Sequence, residues 1–128
     1  RGKTSHIPRF VAGSSRGQNP IVRSYLRNLP HCVDLDPGRV RETSVNEPLI
    51  NWHSSDGEQA LQAVRASNGW AADATDRDML ALAKTIRTKE GLHVLPASCS
   101  GLLALVARHR KDPLPGDRYV AVLTGRRE

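Results

Sequence analysis

A chain of 128 residues has room for one domain with a real core, but little for a cofactor enzyme with its own lid and substrate domain. Its net charge of +6 raises nucleic acid and anionic surfaces as partners; yet the basic residues are scattered from Arg1 to Arg127 and an aromatic content of 4% leaves few rings for bases to stack on, so nucleic acid is disfavoured. No apolar run approaches the roughly 18 residues of a membrane span, and no membrane partner is expected.

Residues 1 to 7 are polar and aperiodic. Pro8 to Gly13 then reads as a short strand, with Pro8 at a first position where no ladder donor is needed. After the loop Ser14 to Gln18, Asn19 is a good N-cap and Pro20 a good first helical residue, followed by the stripe Val22, Tyr25, Leu26 and Leu29 up to Pro30. From His31 to Ser55 no period is visible, and Pro37-Gly38, Asn46 and Pro48 break up a long loop with a weak strand signal at Arg39 to Thr43. Asp56 with Gln59 predicts a capping box for a helix that turns Leu61 and Val64 inward and ends at Asn68-Gly69. Trp70 to Ala72 is the next strand, and Thr75 with Asp78 opens a helix carrying Met79, Leu82, Ala83 and Ile86 as far as Gly91.

The last third reads as a complete strand, helix, strand unit. Leu92 to Leu95 is a short apolar run broken by Pro96, and Ser98 and Ser100 offer hydroxyls where a helix must start. Leu102, Leu105, Val106 and His109 fall at helical spacing, with Arg108 to Lys111 where a last turn favours positive charge. Pro113, Pro115 and Gly116 stop that helix, and Tyr119 to Leu123 is a continuous apolar run like a parallel strand covered on both faces. The alternation predicts an α/β fold, a three-layer sandwich with a mainly parallel central sheet and flanking helices. Ligands of open parallel sheets bind beyond the carboxyl ends of strands, so the Pro96 to Ser100 turn and Thr124 are expected on one functional edge.

Pro96-Ala97-Ser98, a helix of small residues, and then G-D-R-Y-V-A-V-L-T-G at 116 to 125 together resemble the C-terminal part of threonine synthases. Weaker likenesses run upstream through I-P-R-F-V-A-G, N-P-I, N-E-P, G-W-A-A, D-R-D-M-L and E-G. The wider family comprises pyridoxal 5'-phosphate (PLP) enzymes that include threonine dehydratase and the tryptophan synthase β chain. The resemblance implies a lyase of threonine biosynthesis acting on a small amino-acid substrate such as O-phosphohomoserine. It also implies that Thr124 hydrogen-bonds the pyridine nitrogen and that Ser98 and Ser100 lie beside the cofactor ring. Residues 1–128 are then expected to be a single α/β domain forming the C-terminal portion of a two-domain enzyme, inactive alone. The Schiff-base lysine and the phosphate loop would lie in a missing N-terminal part, since Lys3, Lys84, Lys89 and Lys111 all occupy polar contexts. No residue here is assigned a catalytic role.

Other chemistry was weighed from the same residues. Gly13 to Gly17 fits G-x-S-x-G, which would make Ser15 a hydrolase nucleophile with His93 or His109 as base, although the helix starts four residues too late. A small basic α/β binding module for nucleic acid or phosphorylated ligands is the alternative from another class. No metal is expected, because His6, His31, His53, His93 and Cys32 lack ligand spacing. Cys32 and Cys99 read as free thiols of a cytoplasmic protein, and a homodimer stays open.

Overall fold

The computed structural model describes residues 6–116 and 118–127. Lys3 and most of the polar start therefore lie outside the described residues, as does Asp117 of the G-D-R-Y-V motif.

Two strands, β1 (Val11–Ser15) and β2 (Trp70–Ala74), pair in parallel from Val11 opposite Trp70 to Ser15 opposite Ala74. Between them come helices α1 (Pro20–Leu26) and α2 (Gly57–Ala66), and after them α3 (Asp76–Glu90) and α4 (Ser100–Lys111). The result is a small α/β domain. The core is Val22, Leu61, Val64, Trp70, Met79, Ile86, Ala97, Cys99 and Ala104 with their neighbours, where α1 meets α2 and where α4 lies along β1. The close seat of α4 depends on Gly13, since a Cβ there would run into the Ser100 carbonyl. Across the sheet, the Trp70 indole donates to the Ala104 carbonyl at 3.1 Å, while the guanidinium groups of Arg9 and Arg108 stand 4.9 and 5.9 Å from its ring centre.

Local chemistry explains most of these elements. Asn19 caps α1 through Oδ1, which accepts from the amides of Ile21 and Val22, and Pro20 is the first helical residue. Thr75 caps α3 by accepting from the Asp78 amide, and the helix stops at Gly91 in the left-handed region. The expected cap at Asp56 does not form: its side chain makes no capping hydrogen bond, and Glu58 is engaged elsewhere. The Glu58 carboxylate accepts from the Cys32 amide at 2.8 Å, contacts His31 Nδ1 at 3.0 Å and accepts from Gln62 at 2.9 Å. With Arg65 donating to the Leu29 and Pro30 carbonyls, it holds the start of the long loop against α2.

Three expected strands turn out differently. Arg39 to Thr43 forms none; Pro37–Arg39 is a short 3-10 turn, and the buried side chain of Asn46 organises this stretch by accepting from the Thr43 amide and donating to the Arg41 carbonyl and Ser15 Oγ. Leu92 to Leu95 contributes only Val94, which bridges Arg126 in antiparallel sense rather than joining the parallel sheet. Tyr119 to Leu123 is not a strand. Val120 is 90% and Val122 73% exposed, and nothing among the described residues covers them. A strand needs a partner edge for its amides and carbonyls, and this run has none, so the sheet stays two-stranded and the three-layer sandwich does not appear in the described residues.

The Glu58 cluster gives acid sensitivity a definite sign. Hydrogen bonds from the Cys32 amide, His31 and Gln62 pull this carboxyl from 4.5 down to about 2. Its contribution is therefore complete above about pH 4.5 and disappears as the pH falls through 2. In urea titrations, the stability gap between the wild-type chain and Glu58→Gln is expected to be widest above pH 5 and to shrink steadily towards pH 2. A gap independent of pH would contradict the cluster.

Candidate functional site

The Pro96 to Ser100 turn and the Thr124 segment meet around one serine, though not at the carboxyl end of a strand, since Tyr119 to Leu123 forms none. Pro96–Cys99 makes a 3-10 turn that runs straight into α4, with the Ser98 amide donating back to the Leu95 carbonyl at 2.9 Å. The chain end returns alongside: the Leu95 amide donates to the Gly125 carbonyl at 3.0 Å and the Arg127 amide to the His93 carbonyl at 2.9 Å. Ser98 Oγ accepts from the Gly125 amide at 2.7 Å and donates to the Gly125 carbonyl at 3.2 Å. A Cβ at Gly125 would stand 2.6 Å from Leu95 Cδ1 and 2.9 Å from Ser98 Oγ, so a larger residue there would push these side chains aside.

Ser100 ties the same turn to the sheet, its Oγ donating to the Gly13 carbonyl at 3.1 Å. Neither serine caps a helix: both are buried, and both hydroxyls are spent on backbone far away in sequence. Between them Cys99 is fully enclosed, and burial pushes its thiol above the usual range, keeping it protonated and inert. Both cysteines are free thiols.

Thr124 differs from the serines. It is exposed, and among the described residues its side chain has no hydrogen bond. It lines an open cavity of about 850 Å³ together with Ser98, Ser100, β1, Trp70 and the Arg118 to Val122 run. The wall is mainly apolar, so the Thr124 hydroxyl is a polar group available to a ligand there. The structure thus brings all three predicted site residues to one cavity, two of them as holders and one with an uncommitted hydroxyl.

The donor set limits what this cavity can hold by itself. No lysine lines it; Lys84 and Lys89 lie exposed on α3 and Lys111 ends α4. The exposed Thr124 hydroxyl can donate to or accept from a ligand, and among the described lining residues no amine is present to hold one covalently.

Ser15 is no nucleophile in this arrangement. It is the last residue of β1, 4% exposed, and its oxygen accepts from Asn46 Nδ2 at 3.1 Å. Of the bases suggested for it, His109 accepts from the Leu114 amide instead. Gly13, Gly125 and Asn46 were not singled out from sequence as supports of the site; a glycine inside a strand pattern was the one signal for Gly13.

Among the described residues no helix is long and apolar enough to cross a membrane. What the fold and the cavity define is a small α/β domain with a two-stranded parallel sheet, four helices and an open, mainly apolar cavity. No family model matches the chain. In sequence it is 27% identical to the threonine synthase of Methanocaldococcus jannaschii over 125 residues, 97% of this chain and 30% of that protein. It is 30% identical to the threonine synthase of Methanosarcina acetivorans over 104 residues, 81% of this chain and 25% of that protein. The chain therefore spans a quarter to a third of the length of these curated relatives.

Removing the Ser98 hydroxyl should loosen the edge. Ser98→Ala is expected to cost about 1–3 kcal/mol, because the Gly125 amide loses its partner in a part-buried place. Amide exchange at Gly125 should accelerate in the same variant. A Gly125 amide already unprotected in the wild type would contradict the geometry.

Proposed function

We propose that this chain is the C-terminal portion of a threonine synthase-like, PLP-dependent lyase. The complete enzyme would convert O-phosphohomoserine and water to threonine and phosphate. The observation that carries the reading is the junction of Pro96-Ala97-Ser98 with Thr124-Gly125 through Ser98, which leaves the Thr124 hydroxyl over the cavity. Likeness to two threonine synthases along most of the chain supports it.

In this reading the domain supplies one wall of the cofactor site. PLP, when bound, provides the electron sink for chemistry at the substrate's carbon atoms. Thr124 would meet the pyridine nitrogen without forcing its protonation, Ser98 and Ser100 would hold the turn that sets the position of Thr124, and the apolar cavity wall would pack against the ring. The rest of the protein brings the lysine that holds the cofactor covalently and the loop that holds its phosphate. It also covers the exposed Tyr119 to Val122 run, extending the two strands into a mainly parallel sheet with helices on both faces. The free thiols fit a cytoplasmic enzyme.

The test is substitution of Thr124 in the complete protein. A neutral hydrogen bond contributes about 0.5–1.5 kcal/mol, so Thr124→Ala should weaken PLP binding by no more than roughly tenfold, and Thr124→Ser should change almost nothing. Thr124→Asp should favour a protonated ring nitrogen, shifting the cofactor's absorption and the ratio of threonine to side products. A folded, PLP-bound Asp variant with unchanged spectrum and products would remove Thr124 from this role.

A further inference from the structure

A second cavity, of about 450 Å³, opens where the carboxyl ends of β1 and β2 meet α1 and the Leu35 to Val40 stretch. Four arginines line it: Arg16 beyond β1, Arg23 on α1, Arg27 at the C-terminal cap of α1, and Arg39. Asp73 and Asp36 are the acidic groups on the same wall, so it carries two positive charges in excess.

The charges are unevenly shared. Arg16 reaches Asp73 at 3.5 Å and Arg39 reaches Asp36 at 3.8 Å, both longer than a good hydrogen bond and largely open to solvent. Asp36 is further committed, since its Oδ1 accepts from the Gly38 amide at 3.0 Å. Arg23 and Arg27 have no ion pair and no side-chain hydrogen bond among the described residues. Arg23 lies in the last turn of α1 and Arg27 is the residue that caps its C-terminus, so both stand where a helix end favours positive charge. The wall is nearly half polar, and Val22, Leu26, Leu35 and Val40 supply its apolar part.

The geometry points to a binding site for a phosphomonoester with an apolar body, its dianionic head between the Arg23 and Arg27 guanidinium groups and its body on Leu26 and Val40. Guanidinium forks match phosphate oxygens in pairs, and a dianion gives two guanidinium groups without a partner the hydrogen bonds they lack. This site is separate from the Thr124 cavity and does not depend on how that cavity is used.

Phenyl phosphate and inorganic phosphate serve as probes in an NMR titration of the 128-residue chain at constant ionic strength. Phenyl phosphate should shift the Arg23 and Arg27 side-chain Nε–H signals and the amides of Arg16 to Gln18 in a saturable way, several-fold more tightly than inorganic phosphate. Arg23→Gln and Arg27→Gln should each weaken it by about tenfold or more. Thr124→Ala should leave this binding unchanged, so failure of the cofactor reading would not disturb the result. If Arg23→Gln fails to fold, Arg27→Gln and Arg39→Gln, altered at exposed positions, carry the test. Equal affinity for the two probes, or shifts untouched by the arginine substitutions, would overturn the proposal. So would oligonucleotide binding of steep salt dependence that phenyl phosphate does not displace.

Discussion

The Ser98 hydroxyl, accepting from the Gly125 amide and donating to its carbonyl, holds together two stretches 27 residues apart. Without it the turn after Leu95 and the end of the chain would share only the Val94 to Arg126 bridge and the backbone bonds on either side. Ser100 extends the same logic to the sheet by fixing the start of α4 on the Gly13 carbonyl. Two small hydroxyl side chains thus replace what a wider sheet would do by strand pairing. The requirement for glycine at 13 follows, because a Cβ there would run into the Ser100 and Gly101 backbone, whereas at 125 it would press only on the Leu95 and Ser98 side chains.

How much of this the residues announce depends on whether the determining interaction is local. The caps at Asn19 and Thr75 and the stop at Gly91 lie within a few residues of the groups they satisfy, and sequence reasoning places them correctly. Asp56 makes no capping hydrogen bond, and Glu58, two residues on, is drawn to the loop by Cys32 and His31, a contact that local pattern cannot show. Ser98 and Ser100 look like helix caps for the same reason. Their real partners, Gly125 and Gly13, are 27 and 87 residues away. Tyr119 to Leu123 has the composition of a covered strand, and composition reports what a segment suits rather than what lies against it.

The two cavities divide the polar chemistry of the domain between them. One is mainly apolar with a single uncommitted hydroxyl at Thr124, and suits a neutral contact to a ring nitrogen. The other is rimmed by guanidinium groups and suits an anion. The scattered basic sequence conceals the second, since Arg16, Arg23, Arg27 and Arg39 are brought to one wall only by the turn of α1 and the folding of the long loop across the strand ends. Trp70, fixed at the start of β2 by Ala104 and flanked by Arg9 and Arg108, anchors the sheet beside the first cavity.

The most direct measurement of the central claim is a crystal structure of the complete protein with PLP bound. The expected result is Thr124 Oγ1 within about 3.2 Å of the pyridine nitrogen, with the Ser98 to Gly125 pair intact behind it. A ring nitrogen facing any other side chain, with Thr124 turned to solvent, would contradict the account.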